Sequence, residues 1–262
     1  MYYNFNIMIT FISDLDQTLI YSKRNINIDN KQVKCVEYKD EKEITYMTNA
    51  AYQNFDKLLS SNHFVFIPCT LRDFNQTMRI SFIQNHLPQF MICDNGGNIY
   101  INGIQDIHYR KKIEQIIDTA QLKKTKKEIE NIISDGYVKY DNNTFLTCIF
   151  KTKEIAENQV SKIMNQIETP TLFSYDLQNR KFYIVPKKLD KSIAVQYLIN
   201  HYYLKNIITS GDGKVDEKFT ELGQEILLPI HANFHHISEK RMNYEGIIGG
   251  EEIIENLMNL SF

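Results

Sequence analysis

Two pairs of aspartates, each following a short apolar run, constrain this chain more than any other feature. Asp14 and Asp16 follow the run "IMITFIS". Asp212 and Asp216 follow the run "NIITS". Both runs are uncharged and rich in β-branched residues, which predicts buried strands. Because clustered carboxylates are costly without a counter-charge, acids at the ends of two buried strands indicate a functional site.

The first part of the chain alternates predicted strands and helices. The runs "IMITFIS", "FVFIPC" and "QFMIC" are predicted strands, and "QVKCVEY" with "KEITYM" predicts an additional hairpin. Helical segments capped by Thr48 or Asn49 and by Asp73 lie between these strands. The alternation favours a parallel sheet with crossover helices. The stretch "DNGGNIYING" predicts a turn followed by another short strand.

The pattern changes near residue 104, and the strand–helix alternation resumes near residue 185. The intervening segment combines long polar helices with short strands and reads as a separate α+β unit. We therefore predict a Rossmann-like α/β core, with helices on both faces of a parallel sheet, formed by residues 1–103 and 185–262. An inserted α+β domain is predicted at residues 104–184.

Composition argues against several functional classes. Lys plus Arg is 30 and Asp plus Glu is 32, a net charge of −2, so no strong field favours nucleic acid or an anionic membrane. No apolar run approaches the ~20 residues of a membrane span. Four scattered cysteines suggest a reducing cytoplasm, and "MYYNFNIMITFI" lacks the features of a signal peptide, with Met8 as an alternative start. No motif predicts an oligomeric state.

The spacing of the first acid pair allows several interpretations. In an extended chain, Asp14 and Asp16 would point to the same side, at the carboxyl end of a parallel strand where α/β sheets bind ligands. They would then hold a divalent cation, or act as nucleophile and general acid/base. A loop in which they only cap the next turn is the alternative. If the strand before Asp212 is the neighbouring strand, all four acids meet at one edge of the sheet.

Two other positions carry groups suited to a phosphate. Thr70, after the strand "FVFIPC", offers a hydroxyl and nearby N–H groups, and Arg72 offers a charge-assisted contact. A simple helix-entry turn is the alternative interpretation of this stretch. Lys191 begins a predicted helix, where backbone amides favour anions, and Lys187 and Lys188 compete for the same role.

These pieces resemble, in order, the four motifs of the haloacid dehalogenase superfamily of aspartate-nucleophile phosphohydrolases. The motifs are "DLDQTL", Thr70, Lys191 and "GDGKVD", and the "DNGGNIY" hairpin resembles the stretch after the third core strand. The insertion lies between the second and third motifs, as in the subgroup with a large α/β cap that includes sucrose-phosphate phosphatase and mannosyl-3-phosphoglycerate phosphatase. The resemblance covers residues 7–100 and 186–262, and over the insertion it is only architectural.

The resemblance implies a Mg²⁺-dependent phosphatase that acts on a small phosphorylated metabolite, with sugar phosphates among the candidates. Asp14 is the implied nucleophile and becomes an aspartyl-phosphate, and Asp16 is the implied general acid and base. The implied Mg²⁺ ligands are the Asp14 carboxylate, the backbone carbonyl of Asp16, Asp212 and Asp216. A phosphomutase of the same superfamily and a non-catalytic protein that binds a phosphometabolite are the alternatives.

The predicted catalytic set contains Asp14 and Asp16 together with Thr70 and Lys191. The predicted substrate-binding residues are Thr70, Leu71, Arg72, Asn95 and Lys191. Two positions depart from the superfamily pattern: Val215 replaces the usual asparagine of the fourth motif, and Leu71 stands where many relatives have glycine. The first departure bears on the metal site and the second on the class of substrate.

Overall fold

A computed structural model describes residues 8–23, 26 and 32–261. The predictions for the N-terminal leader and for Ile7, the start of the first strand, lie outside the described residues. The chain forms two compact units, Met1–Asp106 with Lys191–Phe262, and Ile107–Asp190. The second unit therefore begins at residue 107 and the first unit resumes at residue 191, whereas the sequence analysis predicted boundaries at 104 and 185.

The first segment of the chain supplies most of the strands of the first unit. In order, its elements are β1 (Ile9–Ser13), β2 (Tyr21–Ser22), β3 (Val33–Lys39), β4 (Lys42–Thr48), α1 (Asn49–Leu59), β5 (Phe64–Pro68), α2 (Phe74–Thr77), α3 (Ser81–Asn85), β6 (Phe90–Cys93), β7 (Asn98–Ile101) and β8 (Ile104–Gln105).

The remaining elements belong to the second unit and then to the returning part of the first. The second unit contains α4 (Ile107–Ile116), α5 (Thr119–Ile132), β9 (Gly136–Asp141), β10 (Phe145–Phe150), α6 (Lys153–Gln166), β11 (Phe173–Gln178) and β12 (Lys181–Pro186). The first unit resumes with α7 (Lys191–Tyr202), β13 (Ile207–Ser210), α8 (Glu217–Thr220), β14 (Glu225–Leu228), β15 (Glu239–Arg241) and α9 (Gly246–Ser261).

A parallel sheet forms the centre of the first unit. Its strand order is β15-β14-β13-β1-β5, and each neighbouring pair is parallel. All five residues of β1 are buried, which explains the uncharged run that the sequence shows there. The predicted fold class, a Rossmann-like α/β core with an inserted α+β unit, is confirmed. The edge strand β15 was not predicted, because its three residues, Glu-Lys-Arg, carry no apolar pattern.

The predicted third strand of the parallel sheet, β6, has a different role. It pairs in antiparallel fashion with β7, and β7 pairs with β8, so that these strands form a separate sheet. A single parallel bridge, from Ile92 of β6 to Cys69, links β6 to the residue that follows β5. The turn after β6 folds β7 back onto one edge of β6, and on the other edge the carbonyl of Ile92 accepts the backbone N–H of Thr70 at 2.9 Å.

The helix predicted after Asp73 is interrupted. Asp73 accepts a hydrogen bond from the backbone N–H of Gln76 and so caps α2, as predicted. The helix nevertheless ends at Thr77, and α3 begins at Ser81. Between them Ile80 is extended and forms an antiparallel bridge with Glu37 of β3. Tertiary pairing with the hairpin therefore overrides the local helical pattern.

The second unit packs two helices against an antiparallel sheet. The strand order is β11-β12-β10-β9, and α5 and α6 are capped by Asp118 and Thr152. One face of the sheet is apolar, as the buried cross-strand pair Leu146–Ile184 illustrates. Strand β9 was not predicted, because "GYVKYD" alternates weakly. In the described part of the chain, no helix combines the length and the apolar character that a bilayer span requires.

A cluster of phenylalanines holds α1 against the central sheet. The ring of Phe55 lies 5.0 Å from that of Phe66, 5.2 Å from that of Phe82 and 6.4 Å from that of Phe64, measured between centroids. All the contacts are edge-on, the geometry that aromatic pairs favour. Phe55 is 1% exposed, so the cluster forms part of the main core of the unit.

Replacement of Phe55 tests this core. Phe55→Ala should lower the free energy of unfolding by about 3–5 kcal/mol, because a buried aromatic ring is lost and a cavity replaces it. Urea unfolding followed by circular dichroism measures the change. Leu87→Ala, at a residue that is 48% exposed, is the control and should change stability by less than about 0.5 kcal/mol.

Candidate active site

The site begins where β1 and β13 end side by side. The two strands are parallel neighbours with Ser13 opposite Ser210, which was the condition for the two acidic loops to lie side by side. The backbone N–H of Asp14 donates to the carbonyl of Ser210 at 3.0 Å and continues the ladder by one residue. The chain after β1 and the chain after β13 therefore emerge at the same edge of the sheet.

Three carboxylates meet at this edge. Oxygen atoms of Asp14, Asp212 and Asp216 all lie within 4.8 Å of one another. Asp216 is fixed from behind, since its Oδ2 accepts the backbone N–H groups of Asp212 at 3.2 Å and of Gly213 at 2.9 Å. Gly211 allows this packing: a Cβ there would lie only 2.5 Å from the Cβ of Asp216. The absence of a side chain at Gly211 therefore allows the carboxylate of Asp216 to occupy this position.

Lys191 places a positive charge inside the acidic cluster. It is the first residue of α7 and is fully buried. Its Nζ donates to Oδ1 of Asp14 and to Oδ1 of Asp216, both at 2.7 Å. Burial opposes the charge of Lys191, but the two carboxylates outweigh this and hold its pKa above the usual range. Lys187 and Lys188, the competitors in the sequence, are exposed.

The electrostatics of the cluster are unbalanced without a further cation. Burial raises the pKa of Asp14 to about 7, against the opposing effect of Lys191. Desolvation and the neighbouring acids likewise raise the pKa of Asp212 well above its ordinary value. Three carboxylates and one ammonium leave a formal charge of −2. Oxygen ligands with this residual charge fit a divalent cation such as Mg²⁺.

The carboxylate of Asp16 is not one of the three that lie within 4.8 Å of one another. The chain turns at residues 17–19, and the backbone N–H groups of Thr18, Leu19 and Ile20 point at the carbonyl of Leu15. Gln17 adopts a left-handed conformation with φ 64°. Three of the four predicted carboxylates thus form a common group, and the Asp16 side chain binds Arg72 instead. The predicted role of the Asp16 carbonyl as a metal ligand stays a prediction.

Arg72 binds the Asp16 side chain through two parallel hydrogen bonds. Nε donates to Oδ2 at 2.6 Å, and Nη2 donates to Oδ1 at 2.8 Å. The third nitrogen, Nη1, forms an ion pair with Oε2 of Glu37 at 2.9 Å. Burial disfavours the charged guanidinium, but these acids outweigh it and raise the pKa of Arg72. In this arrangement all three guanidinium nitrogens contact carboxylates, and the predicted phosphate contact of Arg72 stays a prediction.

Thr70 and Asn95 are held together at the end of β5. The backbone N–H of Cys69 donates to the carbonyl of Ser13 at 2.8 Å, which brings Thr70 to the same edge of the sheet as Asp14. The backbone N–H of Asn95 donates to the carbonyl of Thr70 at 3.0 Å. The amide Oδ1 of Asn95 is buried and has no hydrogen-bond partner among the described residues.

The structure brings some of the predicted substrate-binding residues into contact with one another. The Oγ1 of Thr70 accepts the backbone N–H of Arg72 at 3.2 Å, and Leu71 between them is half-buried. Lys191 contacts Asp14 directly, as described above. The roles of Thr70, Leu71, Arg72, Asn95 and Lys191 in substrate binding stay predictions.

Residues that sequence reasoning did not assign complete the site. The hydroxyl of Thr18 donates to Oδ1 of Asp212 at 2.9 Å and so links the first and fourth motifs. Its place in "DLDQTL" was the signal that could have identified it. Nε2 of His231 lies 2.8 Å from the carbonyl oxygen of Gln17, and no motif marks this histidine. Glu37 was also missed, because a single acid in an alternating hairpin gives no sequence signal.

Comparison with known proteins identifies the family. The sequence profile described as sucrose-6F-phosphate phosphohydrolase matches residues 7–226. No curated protein sequence gives a significant match. The chain belongs to the sucrose-6F-phosphate phosphohydrolase family, and it is a phosphatase that hydrolyses phosphate monoesters.

Solved structures share the fold at low sequence identity. The sucrose-phosphatase of Synechocystis sp. PCC6803, in complex with sucrose and phosphate, is 14% identical with a TM-score of 0.64, over 98% of this chain and 99% of that one. The structure of Thermoplasma acidophilum 0175 is 13% identical with a TM-score of 0.65, over 97% and 99%. The C-terminal domain of the trehalose-6-phosphate phosphatase of C. albicans is 13% identical with a TM-score of 0.61, over 97% and 93%.

The raised pKa values predict how metal-free stability depends on pH. Asp14 and Asp212 bind protons more tightly in the folded chain than in the unfolded chain, where an aspartate has a pKa of about 3.9. The folded state therefore holds more protons between about pH 4 and pH 7, so stability should fall as pH rises through this window. Thermal melting in EDTA across this range measures the effect.

The variant Asp212→Asn distinguishes the contribution of the cluster to this pH dependence from that of other acids. The variant lacks one repelling carboxylate, so it should melt higher than wild type at pH 7 in EDTA and show a flatter pH dependence. Asp40→Asn, at an exposed hairpin turn with φ 49°, is the control and should follow wild type. A wild-type melting temperature that rises from pH 4 to pH 7 would contradict the electrostatic interpretation of the cluster.

Proposed function

We propose that this chain releases inorganic phosphate from a small phosphorylated sugar in a Mg²⁺-dependent reaction with an aspartyl-phosphate intermediate. The observation that supports this most is the cluster around Lys191. A buried lysine bonded to both Asp14 and Asp216, beside Asp212, orders two acidic loops at the edge where α/β sheets bind ligands.

In the first step, a carboxylate oxygen of Asp14 forms a bond to phosphorus while the bond from phosphorus to the sugar oxygen breaks. Lys191 holds the Asp14 carboxylate in place and offers positive charge beside the phosphoryl oxygens. Asp16 gives a proton to the leaving sugar oxygen. The products of this step are the free sugar and phosphorylated Asp14.

In the second step, water attacks the phosphorus of the aspartyl-phosphate. Asp16 takes a proton from this water, the bond between phosphorus and Asp14 breaks, and inorganic phosphate leaves. Asp14 and Asp16 return to their starting states. Thr70 lies at the same edge of the sheet, and its proposed role is to donate its hydroxyl hydrogen to a phosphoryl oxygen.

The cofactor is proposed to be Mg²⁺, bound by oxygen atoms of Asp14, Asp212 and Asp216 with the carbonyl of Asp16. When bound, Mg²⁺ would neutralise charge on the phosphate oxygens. Thr18 would orient Asp212 through its hydroxyl hydrogen bond. Val215, in place of the usual asparagine of this loop, leaves the acidic ligands themselves unchanged.

Sugar phosphates are the proposed substrate class because of the family. The matching profile names a phosphorylated sucrose, and the Synechocystis relative was solved with sucrose and phosphate. The unit Ile107–Asp190 falls in sequence between Thr70 and Lys191, where the insertion was expected, and we propose that it is a cap that supplies selectivity among sugars.

Phosphate release tests the proposal. With Mg²⁺, the chain should hydrolyse p-nitrophenyl phosphate and members of a panel of sugar phosphates that includes sucrose 6-phosphate, and EDTA should abolish turnover. Asp14→Asn keeps the size of the side chain and removes the nucleophilic charge, so turnover should fall to background while the circular dichroism spectrum persists. Retention of more than about one hundredth of the wild-type rate would contradict covalent catalysis by Asp14.

The same panel distinguishes the alternative activities. A phosphomutase would convert one sugar phosphate into its isomer without stoichiometric release of phosphate, which product analysis by NMR would detect. A protein that binds sugar phosphates without turnover would show neither product.

Thermal melting with added Mg²⁺ tests the metal site independently of activity. A cation that binds only the folded state stabilises it by about 2.7 kcal/mol at 100 times Kd, so the melting temperature should rise measurably. Asp212→Asn removes a ligand and should lose most of this increase, whereas Asp40→Asn should keep it. An identical response of wild type and Asp212→Asn would show that Asp212 is not part of a metal site.

A further inference from the structure

Glu37 is a fully buried acid outside the carboxylate cluster. It lies on β3, at a point where the register with β4 shifts on both sides of it, between Cys35 and Glu37 and between Glu37 and Tyr38. Such β-bulges redirect a side chain and are found next to active sites more often than elsewhere. The bulge turns the Glu37 side chain towards two arginines of the segment after β5.

The carboxylate of Glu37 is held from several directions. Arg79 donates to Oε1 through Nε at 3.0 Å and Nη2 at 2.8 Å. The hydroxyl of Thr45, which lies opposite on β4, donates to Oε2 at 3.1 Å. Nη1 of Arg72 pairs with the same Oε2 at 2.9 Å. A buried carboxylate is tolerated only with such partners, so the position of Glu37 is narrowly defined.

This network leads from the core to the partly exposed side chain of Asp16. The side chain of Glu37 is 0% exposed, that of Arg72 is 11% exposed, and that of Asp16 is 44% exposed. Formal charges alternate along Asp16, Arg72, Glu37 and Arg79 and sum to zero. Arg72 binds Asp16 through two of its nitrogens and Glu37 through the third. The position of the planar guanidinium therefore determines the orientation of the Asp16 carboxylate.

We propose that Glu37 is a positioning residue for catalysis, which acts through Arg72 to set the orientation of Asp16. This inference rests on the proposed function, in which Asp16 is the general acid and base. Arg72 is long and flexible, and Glu37 supplies the buried anchor that holds it in one place. The β3–β4 hairpin thus contributes to the reaction without contacting the reacting atoms.

A double-mutant cycle with two aryl phosphates tests the proposal. The variants are Glu37→Gln, Asp16→Ala and the double substitution, each assayed with phenyl phosphate and with p-nitrophenyl phosphate at saturating Mg²⁺. The two substrates have nearly the same size, but the phenolate that leaves from phenyl phosphate needs a proton far more. Glu37→Gln keeps the shape and one hydrogen-bond acceptor while it removes the charge that anchors Arg72.

We expect Glu37→Gln to lower kcat for phenyl phosphate roughly 10- to 100-fold, because small displacements of a catalytic group cost about this much. The loss should be smaller for p-nitrophenyl phosphate, and KM should change by less than about twofold. Added to Asp16→Ala, the Glu37 substitution should cause no further loss, because the group on which it acts is gone.

Glu43→Gln is the matched control, since Glu43 lies exposed on β4 of the same hairpin and bonds the hydroxyl of Tyr46. It should retain wild-type rates with both substrates. Should Glu37→Gln fail to fold by circular dichroism, Thr45→Val removes only one donor to Glu37 and should give a smaller loss with the same preference for phenyl phosphate.

The outcomes separate this inference from the proposed function. Absence of turnover in wild type would overturn both. Turnover in wild type with Glu37→Gln at the wild-type rate would overturn the inference alone. Equal losses with both substrates, or a loss that persists in the Asp16→Ala background, would show that Glu37 stabilises the hairpin and has no role in positioning Asp16.

Discussion

The buried ammonium of Lys191 is the contact on which the site depends. It donates to Asp14 after β1 and to Asp216 in the loop after β13, both at 2.7 Å, from the first residue of α7. Three segments that are far apart in sequence are therefore held by one cation. Removal of either carboxylate would leave Lys191 bonded to one acid alone and would release one of the three segments, so the positions of the three segments are coupled.

The positive charge of Lys191 does not balance the negative charge of the three carboxylates, and the excess negative charge bears on cation binding. The pKa values of Asp14 and Asp212 stay raised beside it, since desolvation and mutual repulsion exceed what the ammonium offsets. A divalent cation bound between these acids would favour their ionised forms and lower both pKa values. Charge that is only partly offset favours binding of a cation, whereas a fully compensated cluster would have no electrostatic reason to bind one.

The sequence predicted the parts of this structure that depend on local pattern and chain order. Buried strands before Asp14 and Asp212, the caps at Thr48 and Asp73, and the inserted unit all follow from apolar periodicity and turn chemistry. The pairing of the Asp16 side chain with Arg72 did not follow, because it joins residues that are 56 positions apart in the chain. Nor did the anchor at Glu37, because a β-bulge and a pairing with Ile80 are tertiary features that leave no local signature.

The two acids of the first motif are held in different ways, and the difference suits the different tasks that we propose for them. Asp14 continues the hydrogen-bond ladder of a buried strand and contacts a buried lysine, so its position is fixed by the core, as a nucleophile requires. Asp16 is partly exposed and is gripped by the side chain of Arg72. A group that must give a proton in one step and take one in the next needs freedom to adjust. Arg72, anchored on Glu37, limits that freedom without removing it.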